Sequence, residues 1–200
     1  MKPHLLLAST LAFVGSAFSQ IVQTEPNDSI GTATPSTLVA GSSDGVFSLG
    51  NNGDGPFGPT TGDSSGDMDF FEIPANAGQV IVFDVNSNVN GTGSDSVVGL
   101  YGSTGNRLAS NDDDGVSRDS FLSFTAPADG IYYGVVANWV SAASDDAGSL
   151  PTDATTPGTG RGVPGGTVDD YEVVILLDPS KYLTYSPLVF PIRPWPRASP

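Results

Sequence analysis

No cysteine occurs anywhere in the chain, and its one histidine is His4. Small exported domains that cannot build a sufficient core are commonly stapled by disulfides. This chain therefore depends on packing, or on packing with a metal. His4 lies in a segment with the layout of a signal peptide. Lys2 supplies the positive region, Leu5 to Val14 the apolar run, and Ala17-Phe18-Ser19 a small-x-small cleavage site. Residues 1–19 are the expected signal peptide, and the expected location is secreted or cell-surface. Cleavage leaves no histidine, which excludes Ser-His-Asp and Cys-His catalysis and His-ligated zinc. Carboxylate chemistry, a Ser–Lys arrangement and oxygen-built sites for hard cations survive. The apolar run is too short for a stable anchor, and no second run of spanning length follows.

Cations are the next scarcity. All 22 acidic residues lie between Gln20 and Ser180, where the only bases are Arg107, Arg118 and Arg161. That balance argues against nucleic acid or an anionic membrane as partner. Only Glu25, Glu72 and Glu172 are glutamates. Aspartate competes with the helical backbone and belongs in turns and cation-binding loops. A bound cation would relieve the self-repulsion.

Helical periodicity is nearly absent as well. Short apolar or alternating runs recur instead, each bounded by Gly, Asn, Asp or Pro. The expected strands are 45–49, 69–74, 79–85, 96–102, 107–110, 120–126, 130–140 and 170–177, with a weak ninth at 36–41. Turn signals every eight to twelve residues or so mark an all-β sandwich or barrel. In 79–85, Ile81, Phe83 and Val85 share one face, Val80, Val82 and Asp84 the other. Both faces begin apolar, as expected of a central strand. The body is expected to span 20–178. Within it, 141–168 has few large apolar residues and is expected to be a mobile loop. Residues 179–200 hold six prolines, a density incompatible with helix or ladder, and are expected to be a disordered or extended tail.

Three acidic loop clusters stand out. The first is Glu25, Asn27 and Asp28, and the second is Asp63, Asp67 and Asp69. The third is Asn111, Asp112, Asp113 and Asp114, with Asp119 behind it. Calcium takes six to eight oxygen ligands. One short loop seldom supplies them, whereas the N-terminal segment folded beside the second cluster would. An EF-hand is excluded, because Met68 stands at the required Gly and no Glu closes the loop. The third cluster is either a second acidic site or a solvated hairpin turn.

Five stretches in order, from "TEPNDSIGTA" through "GDMDFFEIPANAGQVIVFDV", "DSVVGLYGSTGNRLASNDDDG" and "DSFLSFTAPADGIYYGVV" to "DDYEVVILL", resemble the bacterial pre-peptidase C-terminal domain family. The resemblance spans about residues 23–177. It implies a jelly-roll-like antiparallel β-sandwich, here of eight to nine strands. The related collagen-binding domains of clostridial collagenases carry calcium at their N-terminal linker. Their Glu-x-Asn-Asp motif matches Glu25, Asn27 and Asp28, and their Asp before two aromatics matches Asp69 before Phe70 and Phe71. Gln23 and Gly66 stand where those relatives carry carboxylates, so Asp67 or Asp63 would have to substitute. The resemblance thus implies a structural Ca2+ held by Glu25, Asn27, Asp28, Asp67 and Asp69.

Three functions compete. The first is a non-catalytic, calcium-stabilised exported module, expected to be monomeric, that binds an extracellular protein or polysaccharide. Tyr132 and Trp139 are its candidate ligand-stacking aromatics. Tyr132 and Tyr133 are neighbours on one strand, so one points in and one out. The second is an acidic structural exoprotein with no defined metal site. The third is a carboxylate-based glycoside hydrolase, which needs two carboxyl groups about 5–9.5 Å apart in a cleft.

Overall fold

The computed structural model describes residues 18–51, 68–87, 95–115, 117–139, 150–151, 153–157 and 170–179. Ten strands form among them: β1 (Ser19–Val22), β2 (Thr34–Pro35), β3 (Gly45–Asn51), β4 (Asp69–Ala75), β5 (Val80–Asn86), β6 (Ser96–Tyr101), β7 (Arg107–Asn111), β8 (Phe121–Thr125), β9 (Gly130–Asn138) and β10 (Asp170–Leu177). They make two sheets of five, in the orders β1-β3-β10-β5-β8 (sheet A) and β2-β4-β9-β6-β7 (sheet B). No helix of the described residues is long and apolar enough to cross a membrane.

With β1 and β2 set aside, every pairing is antiparallel. The order of the eight remaining strands, β3-β10-β5-β8 facing β4-β9-β6-β7, is that of a jelly roll. All eight coincide with expected strands. The two additions are short edge strands paired in parallel, β1 on β3 and β2 on β4. The weak strand at 36–41 does not form. The amide of Ser36 still bonds the Glu72 carbonyl, but Thr37 then takes a φ of 63°. That left-handed conformation is uncommon for a β-branched residue and turns the chain off the sheet edge.

The core between the sheets follows from period-two alternation. Sheet A contributes Ile81, Phe83, Val85, Tyr171, Val173, Ile175 and Leu177, and sheet B Phe71, Ile73, Val98, Leu100 and Val136. β5 lies between β10 and β8, a central strand as its sequence indicates. The fit is tight where Phe83 meets Gly134. A Cβ built on Gly134 would stand 1.8 Å from the Phe83 ring.

A second apolar cluster covers the outer face of sheet B. Met68, Phe70, Val97, Tyr101, Val135 and Ala137 pack there under Leu150 and Ala154, with Ile30, Ala33, Tyr133 and Trp139 alongside. Two hydrogen bonds tie the cover down, Tyr101 Oη to the Pro151 carbonyl at 2.9 Å and the Ile30 amide to the Ala154 carbonyl at 2.9 Å. Of the loop 141–168, the described Leu150 and Ala154 are each 1 % exposed and plug this face.

At one end of the sandwich Gln79 is a buried hub. Its Oε1 accepts from the amides of Gly41 and Asn76, and its Nε2 donates to the Ser42 carbonyl and Asp178 Oδ2. Asp178, at φ 46°, accepts the Val80 amide on Oδ1 and turns the chain away as β10 ends.

Overpacking at the Gly134–Phe83 contact gives a direct test. Gly134→Ala is expected to cost roughly 1–3 kcal/mol in urea unfolding. The double substitution Gly134→Ala with Phe83→Leu should recover part of that loss.

Candidate metal centre

Residues 23–29 leave the edge of sheet A and cross the open end of the sandwich to sheet B, with a cis peptide bond between Glu25 and Pro26. The crossing is bonded to the start of β4. The Phe70 amide donates to the Asn27 carbonyl at 3.1 Å, and the Met68 amide to Asp28 Oδ1 at 3.3 Å. The segment is thus tied to sheet B before β2 begins.

This docking buries polar groups. Asn27, Asp28 and Asp69 are 0 %, 3 % and 0 % exposed. Asp69 shares the inward face of β4 with Phe71 and Ile73, so its carboxylate enters the gap between the sheets. Asn27 Nδ2 donates to Asp69 Oδ1 at 3.0 Å. Tyr171, inward-facing on β10 of sheet A, donates its hydroxyl to Asp69 Oδ2 at 2.6 Å. Gln23 Nε2 donates in turn to the Tyr171 oxygen. One carboxylate is therefore gripped from both sheets and from the crossing segment. Glu25 Oε2 accepts the Asn27 amide at 3.2 Å, and its Oε1 is buried, as is Asp28 Oδ2. Asn27 Oδ1 is buried with no hydrogen-bond partner.

The crossing thus sets Glu25, Asn27 and Asp28 beside the start of β4, with Asn27 bonded to Asp69 and Asp28 to the Met68 amide. Asp67 and Asp63 lie outside the described residues. Among the described residues, no three Asp, Glu, His or Cys side chains group as a metal-ligand set. The donors at hand are carboxylate and amide oxygens, the chemistry of a hard cation. A buried amide oxygen with no hydrogen-bond partner beside carboxylates fits such an ion, since an unsatisfied buried acceptor carries a desolvation penalty. Completing six ligands would take carbonyls, water or the 52–67 segment.

Sequence reasoning missed Tyr171. Its inward position was legible in the alternation of β10, but its partner lies 102 residues away in the other sheet. Gln23 was noticed only as a lost carboxylate, yet it holds Tyr171 in place.

The other candidates are differently placed. Tyr132 is the inward member of its pair, 5 % exposed, with its hydroxyl donating to the Ala128 carbonyl at 2.7 Å. It is a core residue, which corrects its assignment as a ligand-stacking aromatic. Trp139 is partly buried against the outer cluster of sheet B, and its Nε1 is buried too. In the third acidic loop, Asn111 Nδ2 donates to the carbonyls of Asp113 and Phe121, and Asp112 donates its amide to Asn111 Oδ1. Asp114 Oδ1 accepts the Ser117 amide at 2.6 Å, and Ser120 Oγ donates to the Asp112 carbonyl. These bonds are those of a self-satisfied turn.

That loop still acts at a distance. Burial raises the pKa of Asp84, and the charges of Asp119, Asp114 and Glu172 raise it further. Burial also raises Asp95, while Arg118, 3.5 Å away, opposes the shift. A groove of about 620 Å³ opens between β1 and β2, lined by Gln20, Ile21, Thr24, Pro26 and Thr34, with Glu25 as its single acid.

No family model matches the chain, and no curated protein matches it. Among solved structures it is similar to PliG of Aeromonas hydrophila, a periplasmic inhibitor of g-type lysozyme. The two are 13 % identical, with a TM-score of 0.40 over 80 % of this chain and 99 % of that one. It is also similar to the pre-peptidase C-terminal domain of Bacillus anthracis collagenase, at 12 % identity and a TM-score of 0.36 over 82 % and 96 % of the two chains. PliG of Salmonella Typhimurium, at 16 % identity, gives 0.33 over 70 % and 94 %.

Tyr171→Phe should separate the hydrogen bond from the packing. Loss of a donor to a buried carboxylate is expected to cost about 1.5–3 kcal/mol in urea unfolding, with the native circular dichroism retained.

Proposed function

We propose that this chain is a non-catalytic, exported β-sandwich module. Its crossing segment is clamped by a structural calcium ion, and it engages an extracellular protein or polysaccharide. The observation that carries the calcium reading is the buried Asn27 Oδ1, without a hydrogen-bond partner, set among Glu25, Asp28 and Asp69. Glu25, Asn27 and Asp28 hold the ion from the crossing side and Asp69 from β4, with Asp67 as the further carboxylate. The ion neutralises clustered acid and fastens the segment that closes the end of the sandwich.

The non-catalytic reading rests on side-chain chemistry. The chain beyond the expected signal peptide has neither histidine nor cysteine. Glycoside hydrolysis requires a carboxylate pair across a cleft, and the groove between β1 and β2 holds one acid. With Tyr132 in the core, that groove is the opening best suited to a polymer.

Calcium linkage gives the magnitude. Extracellular modules bind with dissociation constants of about 10⁻⁴–10⁻³ M. At about 1 mM calcium and a constant near 0.1 mM, the native state gains roughly 1.4 kcal/mol. Thermal unfolding in calcium should therefore exceed that in chelator, and Asp28→Ala and Asp69→Ala should each abolish the difference. A Tm that chelator leaves unmoved would sink the metal site, and a calcium shift surviving both substitutions would move it elsewhere. Retention on collagen, chitin or cellulose beads tests the polymer arm. Flow-through on all three rejects it for these polymers.

A further inference from the structure

The two sheets differ in what covers their outer faces. Loops cap sheet B, whereas over sheet A the described residues place the Phe18 ring beside Gly45 and Leu176, and no described strand covers the rest. The register places Gln20, Phe47, Val174, Asp84 and Phe121 in one row across that outer face. A parallel row runs from Val22 through Leu49 to Glu172. The rim of the face is open, with Val22 77 %, Phe121 41 % and Leu49 39 % exposed. Its middle is not. Val82 and Leu176, paired neighbours pointing the same way, are 5 % and 6 % exposed, as low as residues of the core. The face thus mixes apolar side chains (Phe47, Leu49, Val82, Phe121, Val174 and Leu176) with Gln20, Ser123, Thr125 and two carboxylates, Asp84 and Glu172. The Asp112–Asp114 loop adds negative potential from the side, seen in the influence of Asp114 and Asp119 on Asp84.

An occupant of such a face must be apolar and cationic. Beyond residues 1–19, the chain carries one stretch of that composition, immediately after β10. Residues 179–200 contain Lys181, Arg193 and Arg197 and no acid, together with Leu188, Phe190 and Trp195. All other bases of the body number three against 22 acids. We propose that this segment is the ligand of the outer face of sheet A, laid intramolecularly across it with its cations toward Asp84 and Glu172. The geometry allows it. β10 runs through the middle of sheet A, and Asp178 turns the chain out of the ladder at φ 46°. Five strands span only about 19 Å. At about 3.1 Å per residue, a proline-rich segment of this length reaches roughly 65 Å. Proline removes donors that an unpaired segment over a sheet would otherwise leave unsatisfied. Tethering also makes docking unimolecular, so modest contacts suffice.

The test compares the chain from Phe18 to its end with one ending at Pro179, both beginning at Phe18, and uses synthetic peptide 180–200 as the probe. The shortened chain should bind an apolar-surface dye several-fold more strongly. Added peptide should bind it, quench the dye signal and bind more weakly at high salt. Phe121→Ser or Asp84→Lys in the shortened chain should weaken the peptide at least tenfold. A shortened chain with unchanged dye binding and no affinity for the peptide overturns the proposal. So does a shortened chain that dimerises and stays dimeric with excess peptide, which gives the face to a second copy. If the shortened chain does not fold, the full chain answers instead. In Trp139→Phe, Trp195 is the only indole, and its emission should be blue-shifted and move to the red on Phe121→Ser. A solvent-like Trp195 emission in the parent rejects the docked segment.

Discussion

The Asp69 carboxylate is the point on which the end of the sandwich depends. Taking a charge out of water costs several kcal/mol unless hydrogen bonds compensate. Here compensation comes from Tyr171 of sheet A, which Gln23 supports in turn, and from Asn27 of the crossing segment. The two donors belong to distant parts of the chain. Burial of the carboxylate therefore ties the crossing segment to both sheets. A purely apolar residue at the mouth of the sandwich would pack, but it would not specify the path of residues 23–28.

The same logic explains the two additional strands. A jelly roll of eight strands leaves edges at β8 and β7 and, on the side where the chain enters, at β3 and β4; free edges invite pairing with other chains. The N-terminal segment covers the latter two in turn, first as β1 along β3 and then as β2 along β4. Each addition is short and parallel, so neither prolongs the sheet into a long flat edge. Asn27 and Asp28 sit between these two coverings, and whatever stabilises them protects both edges at once.

Most of the fold was legible in the residues, and the reason is local. Period-two alternation and turn chemistry separate strands from loops, and they correctly orient Ile81, Phe83 and Val85. They do not name partners, so the position of β10 between β3 and β5 had no local signature. Errors arose where a short-range rule met a long-range requirement. The apolar content of 36–41 suggested a strand, but Thr37 turns to seat Leu38 in the core, where it is 6 % exposed. The site was legible as a set of oxygen donors. Its burial was not, because aspartate beside proline and asparagine is ordinarily solvated. Which of Tyr132 and Tyr133 points inward needed the register of β9 against β4, which turns Tyr132 into the core.

Where the described body begins and ends has a mechanical meaning. Ser19 of β1 lies opposite Val46, and Leu176 of β10 lies opposite Gly45, both at the same end of β3. The chain therefore enters and leaves sheet A at one end, about 10 Å apart across a single intervening strand. Tension between those two points loads the ladders end-on and breaks their bonds one after another, as a zip opens, instead of shearing them together.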